Sequence, residues 1–436
     1  MPLAESLYTL ALRALHPALP LLARGEGKLA RGIRGRQEVL ERMERWAATG
    51  REPGRPLVWF HAPSVGEGLQ ARAVIEALRE REPDAQVAYT WFSPSAEAFG
   101  RSLPADFADY LPFDLPSAAG RALDLLRPDL LAFSKTDVWP NLTREAERRG
   151  IPMVLLSATL PAASSRIGGA ARQLLGPAHR RLTHVAAISP ADAARFGSLG
   201  VPAGRLSVMG DARFDQVLRR TAASGSSPWP ARLGSEGHLV LVAGSTWPPD
   251  EEALLSALRH VGERSPPLRL ILVPHEPTEE HLRATELLLG RLGYSSQRLA
   301  ELEAGPVAAE VVLVDRVGIL GDLYAAGDVA YVGGGWGTAG LHSVLEPAAY
   351  GMPVIFGPRH ANAREAGELV QAGGAFSVDD PEELRDLLAR LWSDGELRRG
   401  AGEAARDYVE SGRGAADRGA EIVQRLLASN RKGGGG

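Results

Sequence analysis

At 436 residues the chain is too long for one ordinary core, and length alone predicts two or three domains. Hydrophobic residues at 44% and charged residues at 23% match a soluble globular protein, and a net charge of −4 supplies no global field to recruit nucleic acid. There is no cysteine, which excludes disulfides, thiolate metal sites and a thiol nucleophile.

The N-terminus departs from this plain composition. Residues 7–23, LYTLALRALHPALPLLA, are apolar but interrupted by Arg13, His16, Pro17 and Pro20. They fall short of the roughly 20 apolar residues a spanning helix needs, and they lack a signal-peptide cleavage site. Leu3, Leu7, Leu10 and Ala14 share one helical face, and Glu5, Thr9, Arg13 and His16 share another. Arg24, Lys28, Arg31, Arg34 and Arg36 follow, opposed only by Glu26. Two readings are open. The helix lies in a membrane interface rich in anionic lipid, or it packs on its own domain.

From residue 57 short apolar runs alternate with helical stretches. LVWFHA, AQVAYTWF, LLAFS, IPMVLLSA, HVAAIS and LSVMG read as strands. A Ser-, Gly- and Pro-rich stretch over 216–236 reads as a linker. HLVLVAGS, LRLILVP, VVLVD, VAYVGGG and PVIFGP then form a second series, and the last 40 residues are helical up to a polar tail, RKGGGG. Strands alternating with helices predict parallel sheets, hence two doubly wound domains with a cleft between them. Ligands of such sheets bind beyond the carboxyl ends of the strands, so the chemistry is expected in the loops that follow strands.

The first such loop is WFHAPSVGEGLQ. Ser64-Val65-Gly66-Glu67 spells S-x-x-E, the capping box that starts a helix. Glu67 is therefore either a cap or a catalytic group at a strand-to-helix turn, and spacing alone favours the cap. In FSKTDVWPNL, Lys135 and Asp137 either pair with each other or face an anionic substrate. In VMGDARFDQV, Arg213 either touches a bound anion or forms a salt bridge with Asp211 or Asp215.

The second domain opens with VAGSTWPPDEE. Ser245 and Thr246 can donate to a phosphate or sugar, although a simple helix cap is the better reading of that piece by itself. His275, Glu276 and His281 invite a metal, but H-E-x-x-H would need histidine at 279, which is Glu279, and Pro277 breaks the helix. No metal site is expected. Gly335, Gly337 and Gly340 make a G-x-G-x-x-G between a strand and a helix, with Glu346 six residues on. Such glycines admit a phosphate to the backbone and the helix start supplies N–H donors, while Glu346 can reach ribose hydroxyls. The acid that a dinucleotide fold wants about 20 residues on is missing, which argues against a dehydrogenase.

Taken in order, WFHAPSVGEG, LPFDLP, KTDVWPNL, GIPMVLLSA, GDARFD, AGSTWPPDEE, VPHEPTEEHL, DLYAAGDVAYVGGG, GLHSVLEPAAYGMPVIFGP and EAGELVQAGGAF resemble the 3-deoxy-D-manno-octulosonic acid (Kdo) transferases, over roughly residues 7–385. The resemblance implies an α/β GT-B fold of two Rossmann-like domains, CMP-Kdo as donor, a lipid A precursor as acceptor, no cofactor, and a place on the cytoplasmic face of the bacterial inner membrane. It implies a membrane-associating segment at 1–46, an acceptor domain at 47–215, a linker at 216–236, a donor domain at 237–400 and helices with a disordered tail at 401–436. It makes Glu67 the catalytic base. It places His342, Ser343 and Glu346 in the nucleotide-binding stretch, with Glu346 toward the ribose. The motif readings add Arg213, Ser245, Thr246, His275, Gly335, Gly337 and Gly340 as donor-site candidates, and Ser64, Gly66, Lys135, Asp137, Arg31 and Arg34 as acceptor-site candidates. The chain departs from the family where many members read E-T-E-L-W-P-N for KTDVWPN, P-R-H for PHE, and H-N for His342-Ser343. A transferase of another nucleotide sugar and a catalytically silent nucleotide-binding protein are the competing readings. The first fails or survives on a donor panel, and the second predicts CMP binding without turnover.

Overall fold

The computed structural model describes residues 3–162, 164–223, 228–233, 237–261, 266–303 and 309–433. The chain divides into two units, Met1–Gln216 with Gly414–Gly436, and Val217–Arg413. Each is built on a seven-stranded parallel sheet.

In the first unit the strands are β1 (Leu57–His61), β2 (Gln86–Trp91), β3 (Phe107–Tyr110), β4 (Leu130–Ser134), β5 (Met153–Ala158), β6 (His184–Ala187) and β7 (Leu206–Val208). Their order is β3-β2-β1-β4-β5-β6-β7. β1 pairs with β2 through Leu57↔Gln86 and with β4 through Val58↔Leu130. All five β1 residues are buried, because helices cover both faces of a parallel sheet. Chain order reverses direction between β1 and β4, which leaves a gap at their carboxyl ends.

The second unit contributes β8 (Leu239–Thr246), β9 (Leu268–Pro274), β10 (Ser296–Arg298), β11 (Val311–Leu313), β12 (Val329–Val332), β13 (Val354–Phe356) and β14 (Ala375–Ser377), in the order β10-β11-β9-β8-β12-β13-β14. The corresponding gap lies between β8 and β12. β3, β10 and β14, unread in the sequence, are all edge strands. SQR has no apolar residue, and FADY and AFS are short runs broken or ended by a polar residue, so none stands out.

The stretch 216–236 is more ordered than its composition indicates. The helix Arg213–Ala223 runs into it and Trp229–Arg232 forms a further turn, while 224–227 and 234–236 lie outside the described residues. The C-terminal helices are divided between the units. Gly395–Ser411 belongs to the second, and Ala415–Gly433 returns to pack along the helix Val65–Arg81 of the first. Asp215 fixes that return by accepting from the amides of Gly414 (2.6 Å) and Ala416 (2.7 Å). The expected tail beyond 433 lies outside the described residues.

The N-terminal helix Leu3–Leu15 packs with its polar face inward. Glu5 is fully buried and accepts two bonds from the Arg181 guanidinium (2.6 and 2.9 Å). Tyr8 donates to Asp114 (3.1 Å), and Thr9 donates to Asn141 (2.8 Å). Asp114 also accepts from the amides of Asn141 and Leu142, at the start of the helix Pro140–Arg148. Burial pushes its carboxyl up to about 6, against the pull of those amides. Outward stand Leu3, Leu7, Leu10 and Leu15, each more than half exposed, continued by Leu21, Leu22 and Leu29. Among the described residues no helix is long and apolar enough to cross a membrane.

The basic segment after it is only partly a surface patch. Arg24, Lys28 and Arg31 are exposed. Arg34, also exposed, donates to the carbonyls of Ala23 (2.6 Å) and Gly25 (2.5 Å) and so ties down the loop between two helices. Arg36 turns inward, donates to the carbonyls of Gly32, Leu111 and Phe92, and lies 3.8 Å over the Phe92 ring. Burial lowers its guanidinium to about 10.

Removing one partner of a buried ion pair costs more than the pair contributes, about 3–5 kcal/mol. Arg181→Met is therefore expected to release the N-terminal helix. Amide exchange over residues 4–14 should become fast while β1, β4 and β5 stay protected, and unchanged exchange would show that the helix docks by other means.

Candidate functional site

The first candidate site occupies the gap between β1 and β4. β1 ends in His61, which is completely buried and pushed down to about 3 by that burial. Trp139 donates to its Nε2 (3.0 Å), so the ring is neutral and its Nδ1 proton faces Thr90 Oγ1 (3.0 Å). The turn after β1 leads into the helix Val65–Arg81, with Ser64 as its extended N-cap. The S-x-x-E spacing does not close into a capping box. Ser64 Oγ donates to the Glu67 carboxylate and accepts no helix amide.

Lys135 reaches the same carboxylate from the end of β4, with Nζ 3.6 Å from Glu67 Oε1. Glu67 is 17% exposed and Lys135 43%, so the pair sits at an open rim. Lys135 has φ +66°, a left-handed backbone that costs a non-glycine residue of order 1 kcal/mol and that recurs at functional sites. Lys135 and Asp137 do not pair with each other. Asp137 binds Arg166 (2.8 Å), which also holds the Thr136 carbonyl (2.9 Å). A Cβ at Gly66 would meet only Ser64 Oγ at 3.9 Å, so space is open there. Gly68 differs, because a Cβ there would lie 2.5 Å from the Phe99 ring and 2.8 Å from Tyr89 Oη. It is a packing glycine.

One helical turn beyond Glu67, Gln70 donates to Asp211 (3.1 Å). Asp211 accepts from Arg213 Nη2 (2.7 Å) and Nε (2.9 Å). Burial alone would raise the Asp211 carboxyl, but the Arg213 guanidinium and Gln70 bring it below its ordinary value. Arg213 thus has its salt bridge with Asp211, within the first unit.

The second candidate site occupies the gap between β8 and β12. Ser245, at φ +54°, opens the turn after the body of β8. Thr246 is fully buried and donates to Glu251 (2.8 Å), so its hydroxyl is committed to the interior and is not offered to a ligand. Glu251 also accepts from Thr285 (2.8 Å) and contacts His281 Nε2 (3.0 Å), and that contact raises His281 above its ordinary value. His275, exposed after β9, stacks on His342 with centroids 4.3 Å apart and lies 4.8 Å from the Trp247 ring. Trp247 Nε1 donates to His342 Nε2 (3.2 Å). Burial, then the neighbouring His275, lowers His342 to about 4, so it is a neutral ring at pH 7.

The glycine loop is used differently from its motif. A Cβ at Gly333 would run into the Ser245 carbonyl, one at Gly334 into the Gly340 carbonyl, and one at Gly335 would lie 2.6 Å from the Gly357 amide nitrogen. These glycines let the loop fold on itself and against the β8 and β13 turns. Gly340 has φ +85°, whereas a Cβ at Gly337 would meet nothing nearer than 4.0 Å. The helix expected directly after the loop begins later, as the single turn Leu345–Ala349, with exposed Ser343 before it. Glu346 lies in that turn and meets Arg220 (Nη1–Oε1 3.2 Å).

Sequence reasoning missed three groups that hold this site together. Asp250 accepts from the amides of Trp247 (3.0 Å) and Gly334 (2.9 Å) and from the Tyr331 hydroxyl (3.1 Å), joining the β8 turn to the glycine loop. Asn362 exchanges bonds with the backbone of Leu341 (3.0 and 2.9 Å), and Arg359 donates to the Gly337 carbonyl (3.2 Å). An acid at the third helical position was the signal for Asp250, but its distant partners were not legible.

A family model described as 3-deoxy-D-manno-octulosonic-acid transferase (kdotransferase) matches residues 37–216. The 3-deoxy-D-manno-octulosonic acid transferase of Bordetella pertussis is 30% identical, over 98% of this chain and 100% of its own. The Haemophilus influenzae transferase of the same name is 29% identical, over 86% and 88%. The crystal structure of the UDP-GlcNAc 2-epimerase from Neisseria meningitidis matches with a TM-score of 0.61 at 14% identity, over 86% of this chain and all of that one, a likeness of fold. The chain belongs to the 3-deoxy-D-manno-octulosonic acid transferase family, and so is a glycosyltransferase of lipopolysaccharide biosynthesis that transfers Kdo.

Removing the Asp250 carboxylate strands two backbone amides, at about 1–3 kcal/mol each. Asp250→Ala should lower the unfolding free energy by about 3 kcal/mol in denaturant titration, and a change under 0.5 kcal/mol would rule out the bridging role.

Proposed function

We propose that this Kdo transferase moves Kdo from CMP-Kdo to a lipid A precursor, with inversion at the anomeric carbon and Glu67 as the base. The observation that supports this most is the contact between Glu67 and Lys135 at the carboxyl edge of β1 and β4. A carboxylate there is open to an incoming hydroxyl, and Gly66 leaves room beside it. Glu67 takes the proton of an acceptor hydroxyl. The freed oxygen bonds to the anomeric carbon as the bond from that carbon to the phosphate oxygen breaks, and CMP departs with the electron pair. Ser64 and Lys135 orient the carboxylate, and the remaining Lys135 donors face an anionic group of the substrate. Asp137, fixed by Arg166, holds the rim of the acceptor side.

The donor belongs to the second unit in this reading, which takes the GT-B form of the fold. Ser245, His275, Ser343 and the backbone around Gly335, Gly337 and Gly340 surround the phosphate, with His342 as the neutral ring that supports His275. Glu346 accepts from the ribose. The leaving group is a monophosphate, so dipoles and one or two cations serve it without a metal.

The N-terminal helix brings the enzyme to its lipid. Its polar face is consumed by Arg181, Asp114 and Asn141, and Leu3, Leu7, Leu10 and Leu15 stand exposed among the described residues. Arg24, Lys28, Arg31 and Arg34 flank it and suit an anionic surface or the phosphates of the acceptor. We place the enzyme on the cytoplasmic face of the inner membrane, held at the interface.

Two measurements test these assignments. Transfer from CMP-Kdo to lipid IVA, followed by mass, should fall about 10²–10⁴-fold in Glu67→Gln with CMP binding retained, and near-normal transfer would remove Glu67 as base. Leu7→Ser with Leu10→Ser should weaken binding to anionic vesicles by about tenfold or more per leucine without lowering the melting midpoint. Undiminished vesicle binding would remove this face as the anchor.

A further inference from the structure

Arg220 lies in the helix Arg213–Ala223, inside the stretch 216–236 whose composition reads as a linker. Its guanidinium serves two carboxylates from separate elements. Nη1 lies 3.2 Å from Glu346 Oε1, and Nη2 lies 3.4 Å from Asp322 Oδ1 in the turn Leu320–Leu323. Gly321 leaves the space it occupies, since a Cβ there would run into Arg220 Cζ. The phenol of Tyr324 is buried, the Glu346 charge adds to its rise above the ordinary phenol value, and a Cβ at Gly244 would run into its oxygen. Glu346, Asp322 and Tyr324 therefore crowd one place, and Arg220 is the cation among them.

This packing has a consequence for recognition. A carboxylate binds a sugar hydroxyl as an acceptor, and a protonated carboxyl with a loose rotamer does so poorly. Burial raises the Glu346 carboxyl, with Arg220 pulling against it and Asp322 adding to it. Arg220 occupies Oε1, and among the described residues Oε2 is left to a ligand.

We propose that Arg220 is a positioning residue for the donor nucleotide, holding Glu346 as an oriented carboxylate, anchored by Asp322, whose Oε2 accepts from the ribose diol. The inference rests on the reading of Glu346 as the ribose contact. It extends the nucleotide site to a side chain from outside the β8 and β12 loops.

Calorimetric titration of the full-length protein with CMP, and with 2′,3′-dideoxy-CMP, across pH 6 to 8.5 tests both levels separately. Arg220→Met should bind CMP about tenfold more weakly at pH 7. The loss should shrink as pH rises, because the Glu346 carboxyl, pushed up further without its cation, ionises again. Arg220→Lys should recover most of the affinity, and the dideoxy nucleotide should bind wild type and Arg220→Met alike. If Glu346→Gln binds CMP as tightly as wild type, the ribose reading falls and the inference with it. If Glu346→Gln loses affinity but Arg220→Met does not, the inference alone is overturned. The same holds if Arg220→Met loses affinity equally for both nucleotides at every pH, which is what general loosening of the fold would produce.

Discussion

A parallel sheet that reverses the direction of its connections must leave two neighbouring strands whose following loops diverge. In the first unit that constraint acts at β1 and β4, where the proposed base stands. Glu67 follows one strand and Lys135 the other, so residues 68 apart in sequence come within 3.6 Å. The supports of this contact are buried and half-buried residues around it. His61 accepts from Trp139 and so ties the end of β1 to the β4 loop, while Gln70 ties the next turn of the helix to Asp211 and Arg213. Lys135 accepts a left-handed backbone to reach its partner.

The second unit repeats the constraint with different chemistry. Between β8 and β12 the contacts are aromatic rings and backbone amides. Asp250 draws the amides of Trp247 and Gly334 to one carboxylate, and Trp247, His275 and His342 stack beside it. Glycines 333 to 335 serve the close approach of backbone to backbone there. At the N-terminus the usual sense of amphipathicity is inverted. A helix whose glutamate, tyrosine and threonine are satisfied inside the unit presents leucines outside, and the membrane assignment builds on that inversion.

Much of this was legible in the sequence, for physical reasons that also explain the gaps. Strands buried on both faces announce themselves as apolar runs, as LVWFH and LVLVAGST do, whereas edge strands such as SQR bury too little to be seen. S-x-x-E identified the turn that carries Glu67 but not the donation from Ser64, because a cap and a held carboxylate share one spacing. The two faces of the first helix were readable, but which of them turns inward depends on Arg181, Asp114 and Asn141, far away in sequence. The reach of Asp250 to Gly334, and of Arg220 to Glu346, depends in the same way on neighbours that local spacing does not encode.

The central claim is that Glu67 and Lys135 act as one unit in the transfer step. A double-mutant cycle on the rate of Kdo transfer to lipid IVA, using Glu67→Gln, Lys135→Met and the combination, measures it directly. The account predicts that Lys135→Met lowers the rate in the wild-type background and has little further effect once Glu67 is glutamine. Losses that multiply independently would contradict it, because Lys135 would then act on the substrate without Glu67.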